Sequence, residues 1–568
     1  MIKKSLLFLI IWMCTLPTFA QFGKITFNGL GRSYINASEL SGNITKNDTT
    51  TANKTNSGVT ILDLNFNIKP NKSTEIVALT RVEDKFGGFW GNGLTLKFRQ
   101  LYARGVVANA VRYRVGDIYV ENSPYTTFNP MVEESYNQAE LFNMYKDYLY
   151  YDNFHVKDRW HMQGADVDFG INFKKNIHEL LFDGYIAQNN PITTATTPET
   201  LYRGAKITLN QSKYFDLLYH YAELYQMTTA NQKTEFHNPV QTVEMKINLG
   251  NEKIKHRFSG EFGASQYKVK NDTLFHGLND NFFDVGYAVE FVPSKLTFKV
   301  SYREVGPDFR SAGAQSKRLN FGDQPQLFTQ YTNLQTFRPI TLFDITKDEA
   351  LYASSITNTL MAYNPKYANV MPYGVATPNR QGLNVKADYT APEKLFNVFA
   401  DCNFLQEIKG QGTTDLRKFN SIAGGITLNL NEWFGLKRML KITSGIKFES
   451  TKRTGDAYSS VDLKSNLIDA GLEYEFMKDF DVLLGAKFLT AKGNEFLPVR
   501  DSYTQITDFT AIPNINDKEV LLGGGIRYRF SENIFLTLHY MNFGYTDKTD
   551  SGLNYNINQF VILYTMKF

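Results

Sequence analysis

Alternation of period two runs through the whole chain. In the closing stretch, Phe560, Ile562, Tyr564, Met566 and Phe568 share one parity, and Gln559, Val561, Leu563, Thr565 and Lys567 share the other. One face is wholly apolar or aromatic and the other mixed, the pattern of a β-strand with different surroundings on its two sides. The same pattern recurs upstream. Val520, Leu522, Ile526, Tyr528 and Phe530 oppose Gly523, Gly525, Arg527 and Arg529. Ile468, Ala470, Leu472, Tyr474 and Phe476 oppose Asp469, Glu473 and Glu475. Val285, Tyr287, Val289 and Phe291 oppose Asp284 and Glu290.

Alternation alone fits a soluble sandwich as well as a barrel, so three further features decide. The runs are about 10 to 14 residues long, nearer a tilted membrane-crossing strand than the ~5–6 of soluble sheets. Their apolar faces turn aromatic towards the ends, as an interfacial girdle does. Connections alternate between short turns (70–72, 211–212, 293–294, 478–479) and long loops (37–57, 121–163, 227–239, 306–379, 493–517, 547–557). Every mature proline falls in a proposed loop or at a turn on this reading, and glycines sit inside strands on the second parity (Gly286, Gly425, Gly445, Gly485, Gly523, Gly525), where close backbone approach is expected. The expected fold is all-β: an antiparallel up-and-down transmembrane barrel of about 18 to 22 strands, with short periplasmic turns and long extracellular loops.

Composition narrows the setting. Lys3 and Lys4 precede an apolar run that ends in a small-residue processing pattern at Ala20, so residues 1–20 read as a secretory signal peptide and 21–568 as a single barrel. The mature chain keeps one cysteine, Cys402, which rules out an internal disulfide framework. With 61 basic and 57 acidic residues the net charge is +4, which gives no support to a nucleic-acid partner.

The stretches TRVEDKFGGFWGNGLTLKFRQLYARG (80–105) and RYRVGDIYVENSPYTTFNP (112–130), with the aromatic C-terminus, resemble an uncharacterised outer-membrane β-barrel family of Bacteroidetes. The resemblance implies a barrel in a Gram-negative outer membrane. It carries no assigned activity and no functional residue. Phe560, Ile562, Tyr564, Met566 and Phe568 are similar to the terminal signal that barrel-insertion machinery reads, which makes that machinery and the outer-membrane lipids the expected partners. Strand alternation beginning at Phe22 leaves no room for the N-terminal plug of TonB-dependent transporters or the hatch of fatty-acid transporters.

Chemistry-bearing clusters are few. His155 and His161 share the 121–163 loop with Glu133, Glu134, Asp147, Asp152 and Asp158, but at no metal-ligand spacing. That loop also holds Tyr136, Phe142, Tyr145, Tyr148, Tyr150, Tyr151, Phe154 and Trp160, which suit either self-packing or a ligand platform. FGGFWG (86–91) lacks the Lys-Ser/Thr of a phosphate cradle and reads as an external hairpin. His220, inside a strand, reads as a lumen residue. No catalytic residue, metal or cofactor is assigned. The second parity mixes bases (Lys299, Lys441, Lys487, Arg527, Arg529) with acids (Asp401, Glu473, Glu475, Asp481), which implies a polar, wettable lumen.

The 306–379 segment is too long for a passive connection and too apolar for disorder. It is expected to fold inward and narrow the lumen, with the 121–163 loop beside it and Arg303, Glu304 and Arg310 anchoring its entry. The expected function is non-enzymatic: a porin-like channel or transporter for small polar solutes. Two alternatives stay open: an assembly barrel docking surface lipoproteins or secretion components, and a barrel enzyme such as a lipid hydrolase.

Overall fold

In the computed structural model, 22 antiparallel strands each pair with their neighbours in chain order, and the first pairs with the last, closing the sheet. The structure describes residues 24–46, 53–86, 93–129, 136–153, 158–173, 177–190, 198–228, 235–272, 275, 277–317, 319, 340–348, 351–353, 355–456, 459–501 and 504–568. The signal-peptide segment and most of FGGFWG lie outside these.

The first strands are β1 (Ile25–Gly42), β2 (Lys54–Ile68), β3 (Thr74–Lys85), β4 (Leu94–Val107), β5 (Val111–Val120) and β6 (Trp160–Asn172). Then come β7 (Glu179–Asn190), β8 (Thr200–Ser212), β9 (Phe215–Gln226), β10 (Glu235–Gly250), β11 (Ile254–Lys270) and β12 (Leu278–Phe291). The wall continues through β13 (Leu296–Val305), β14 (Arg380–Thr390), β15 (Phe396–Gln406), β16 (Lys418–Asn429) and β17 (Leu440–Arg453). It ends with β18 (Val461–Met477), β19 (Phe480–Arg500), β20 (Ile506–Ser531), β21 (Ile534–Asp547) and β22 (Tyr555–Lys567). The count sits at the top of the expected range.

Outward parity is apolar as expected: Ile468, Leu484, Leu522, Ile526 and Phe560 are all exposed large side chains. Exposed aromatics gather near the short-turn end (Phe27, Phe66, Phe291, Trp433, Phe530) and again higher up (Phe283, Phe404, Phe560). A closed sheet leaves no unpaired backbone edge in hydrocarbon, so this barrel crosses a membrane with its apolar face on lipid, in the manner of outer-membrane barrels. Cys402 lies on that outer parity, opposite Val385.

Three expectations need correction. Residues 493–517 are not a loop: β19 and β20 run 21 and 26 residues, and beyond Glu495 they form a two-stranded ribbon projecting past their neighbours. Similarly, β1 continues to Gly42, and β10 begins at Glu235 within the expected 227–239 loop. Prolines are therefore found inside strands after all. Pro239 pairs with Glu223 of β9, but the ladder to β11 skips from His237 to Val240. There Asn238 substitutes for the missing N–H, its Nδ2 donating to the Gln266 carbonyl at 2.9 Å. Pro513 falls in the bulge between the Gly493–Ile515 and Glu495–Ile512 pairs.

The seam brings the chain ends together. Gly29 N donates to Phe568 O at 2.8 Å and Phe568 N to Gly29 O at 3.1 Å. A Cβ on Gly29 would lie 2.5 Å from the Phe568 ring, so the terminal aromatic lies where only glycine leaves room. Phe560, Ile562, Tyr564 and Met566 share its outward parity and pair with Ala37, Ile35, Ser33 and Gly31 of β1. Replacing Phe568 with Asp is expected to lower the folded fraction seen as heat-modifiable migration. Lost apolar burial accounts for only about 1.5–3 kcal/mol, so a near-complete loss of folded protein would point to failed insertion instead. Unchanged abundance would mean the ring is dispensable.

Candidate functional site

The lumen is occupied by the chain's own loops, and the 121–163 segment contributes the central piece. Its helix α1 (Glu140–Asp152) is about 20 Å long at ~1.5 Å per residue. It lies as a chord inside the barrel, touching successive strands along its length. Asn137, just before it, lies against Gly425 and Gly445, where a Cβ would collide with it. Cβ atoms on Gly471 and Gly523 would come within 2.6 Å of Ala139 and Leu141, and one on Gly485 within 2.9 Å of Phe142. Glycines on five consecutive strands, β16 to β20, thus form a track that seats the segment. Close backbone approach was legible in the sequence at four of these positions; Gly471 was missed.

The helix has no side-chain N-cap of its own, because Ala139 stands at that position. The barrel supplies the substitute: Asp469 of β18 accepts the Ala139 N–H at 2.8 Å. Further along, Tyr145 Oη lies 2.6 Å from His539 Nε2 of β21, and the Arg32 guanidinium of β1 stacks 4.0 Å over Tyr148. At the far end, Tyr151 Oη donates to Asp63 at 2.6 Å. Arg81 donates to both Asp63 oxygens at 2.7 Å and to Asp152 at 2.9 Å, and Arg99 reaches Asp63 at 3.0 Å. Arg32 lies 3.6 Å from Asp152. A carboxylate at a helix C-terminus is unfavourable alone; three arginines from β1, β3 and β4 make it a latch.

The lumen wall under α1 is not the polar surface expected. Leu467, Leu483, Leu489, Leu521, Val561 and Leu563 have lumen parity and are at most 5 % exposed, packed with Leu141, Phe142 and Met144 of α1 and with Leu342 and Phe343. Because the unplugged lumen would be aqueous, docking gains hydrophobic stabilisation of about 1.5–3 kcal/mol per fully buried large side chain. Elsewhere the expected charge rows are present: Arg527 pairs with Asp481 at 2.8 Å, Lys441 with Glu473 at 2.8 Å, and Lys487 with Asp469 at 3.4 Å. His220 is fully buried in the wall, with Nε2 3.4 Å from Glu244.

The described parts of 306–379 also point inward. They include the short helices α2 (Ala312–Gln315) and α3 (Leu342–Lys347). Lumen-side groups grip them: Asn238 Oδ1 accepts the Ala312 N–H at 2.9 Å, and Glu519 accepts the Leu342 N–H at 2.7 Å. Lys366 pairs with Asp517 at 2.5 Å, and Lys447 donates to the Tyr367 carbonyl at 2.7 Å.

The three residues considered as its anchor separate. Arg303 is buried, 3.7 Å from Asp284 and 3.5 Å from Met371 Sδ. Arg310 is 3 % exposed at the inward turn, its N–H on Ser265 Oγ at 2.9 Å and its Nε on Thr504 Oγ1 at 3.0 Å. Burial, reinforced by the nearby Arg500 charge, pulls its pKa down to about 10. Glu304 has the opposite, outward parity, paired in register with Phe283 and Gln381. In the 121–163 loop, His161 is on β6 with Nε2 2.9 Å from Asp117 and its ring stacked on Tyr119. His155, Glu133 and Glu134 lie outside the described residues.

The chain matches no protein-family model and no curated protein. Among solved structures it is similar in overall plan to Pseudomonas aeruginosa OccK5 (OpdH), at 8 % identity and TM-score 0.37, over 95 % of this chain and 98 % of that one. OccK8 (OprE) of the same organism gives 10 % and 0.36, over 96 % and 98 %. A BenF-like porin from Pseudomonas fluorescens Pf-5 gives 9 % and 0.35, over 97 % and 100 %.

Proposed function

We propose that this protein is a porin-like channel or transporter for small polar solutes in the outer membrane, held narrow by its own inward loops. The supporting observation is a closed 22-strand wall carrying opposite charges on its lumen parity, with lumen contents that are loops rather than strands. A wall so wide would otherwise enclose an open aqueous space. The inward loops set its bore, and charge rows keep the remainder wettable without selecting strongly for one ion.

The apolar interface under α1 favours a second reading, a permanently plugged barrel that serves as an assembly platform for a surface lipoprotein or secretion component. The projecting β19–β20 ribbon, with Val499 and Ile506 exposed, would then offer a docking edge. Liposome swelling with purified full-length protein separates the two. Influx of small sugars above that of empty vesicles is expected for the channel. Vesicles that stay impermeable to every solute down to glycerol would reject it in favour of the platform.

A further inference from the structure

At the extracellular mouth, the 360–380 arm of the inward loop, the β15–β16 connection and the β19–β20 ribbon enclose a cavity of about 410 Å³. That volume is within the range of small-molecule sites. Its charged wall is unbalanced: Arg380, Arg417 and Arg500 face a single carboxylate, Glu495. Arg417 is neutralised, 2.9 Å from Glu407 and 3.3 Å from Glu495. The other two have no such contact among the described residues.

Arg380 is 7 % exposed, and among the described residues its three nitrogens donate to the carbonyls of Val370 (3.0 Å), Asn379 (3.1 Å) and Asn369 (3.3 Å). Its Cζ lies 3.5 Å above the Phe419 ring. Arg500 Nη1 donates to the Thr504 carbonyl at 2.7 Å. Arg310 stands on the other side of Thr504, and its buried Nη2 has no hydrogen-bond partner among the described residues. Among the described residues, no carboxylate comes within ion-pair distance of Arg310, Arg380 or Arg500; Asp308 and Asp501 act on Arg310 and Arg500, and Glu407 and Glu495 on Arg380, only from farther off. Buried charges are ordinarily paired, because desolvation costs several kcal/mol per ion. Two buried guanidinium groups, Arg310 and Arg380, and the half-buried Arg500 gather here without a contacting carboxylate, a cluster complementary to an added anion.

We infer that this cavity binds a small solute bearing an oxyanion, a carboxylate or a phosphate, held by Arg380 and Arg500 with its body against Tyr363, Tyr373 and Phe419. Guanidinium groups match both anions through parallel N–H donors. Asn369 adds a polar point on the wall, its Nδ2 donating to Glu495 at 2.6 Å. The site would give the proposed channel a preference at its entrance, and it rests on that reading only for its purpose.

Isothermal titration of the detergent-solubilised full-length protein tests it, with inorganic phosphate and succinate as probes and succinamide as the neutral match to succinate. Saturable binding of one or both anions is expected, with none for succinamide; whichever anion binds names the source. Arg500→Gln should weaken that binding at least tenfold, equivalent to about 1.4 kcal/mol. Arg500→Lys should fall between, since it keeps the charge and loses the fork. Arg380→Gln is the second variant, judged only if heat-modifiable migration is unchanged. Absence of binding by both anions, equal binding of succinamide, or Arg500→Gln at wild-type affinity would overturn the inference. Anion binding by a barrel impermeable in liposomes would keep this site and remove the channel, whereas permeation without anion binding would do the reverse.

Discussion

A barrel in which Gly/Ser linkers replace both 136–153 and 312–375 should conduct many-fold more than the intact chain and admit bulky polar antibiotics into cells. Strand pairing in the finished wall passes through neither segment, since all 22 strands hydrogen-bond directly to their neighbours. Each segment removed alone should give a smaller rise, because α1 crosses the lumen while the 306–379 segment fills it from the extracellular end. Single-channel recording measures the rise directly. If the doubly shortened barrel folds, by heat-modifiable migration, yet conducts no better than the intact one, the inward loops do not set the bore.

The second large effect is expected at Asp63. It is 1 % exposed at the side chain and accepts from Arg81, Arg99 and Tyr151. Asp63→Asn keeps the shape but leaves buried guanidinium groups short of a counter-charge. Removing one partner of a buried pair typically costs about 3–5 kcal/mol. The expected outcome is a clearly lower temperature for the heat-modifiable transition. Lys85→Gln, which breaks the 3.5 Å pair of an exposed Lys85 with Glu83, is the control and should change stability by less than about 1 kcal/mol. Equal effects of the two would mean that the arginine latch contributes no more than an ordinary surface pair.

The barrel was legible because the lipid-facing side of each strand must be apolar, and a period of two survives in the sequence wherever that holds. Loop lengths gave the polarity of the ends for the same reason: turns at one end need only reverse the chain. The ribbon beyond Glu495 was hidden because it leaves the membrane. Its alternation loses the apolar parity, and Pro498 and Pro513 mimic loop punctuation. The helix was partly hidden. Leu141, Tyr145 and Leu149 recur at the spacing of one helical face, but Ala139 gave no start signal because the cap comes from Asp469, hundreds of residues away. The apolar lumen patch had a signal that was available: Leu467, Leu483, Leu521, Val561 and Leu563 sit on a parity that an open water channel would keep polar. The cationic mouth had none, since Arg310, Arg380, Arg417 and Arg500 are scattered over 190 residues and meet only through tertiary folding.

The path of α1 bears on how the barrel closes. Asn137 and the start of the helix touch β16 to β20, and the helix end reaches β1, β3 and β4, so the segment straddles the β1–β22 seam. Before closure, the two edge strands belong to opposite ends of a chain more than 500 residues long, and their encounter is entropically costly. A rigid rod fastened to both flanks turns that encounter into a local one, raising the effective concentration of one edge at the other. The same rod would resist any later sideways parting of the seam, because opening it requires tearing Asp152 from its arginines. A segment that narrows the finished pore is thus also a clasp for the ring.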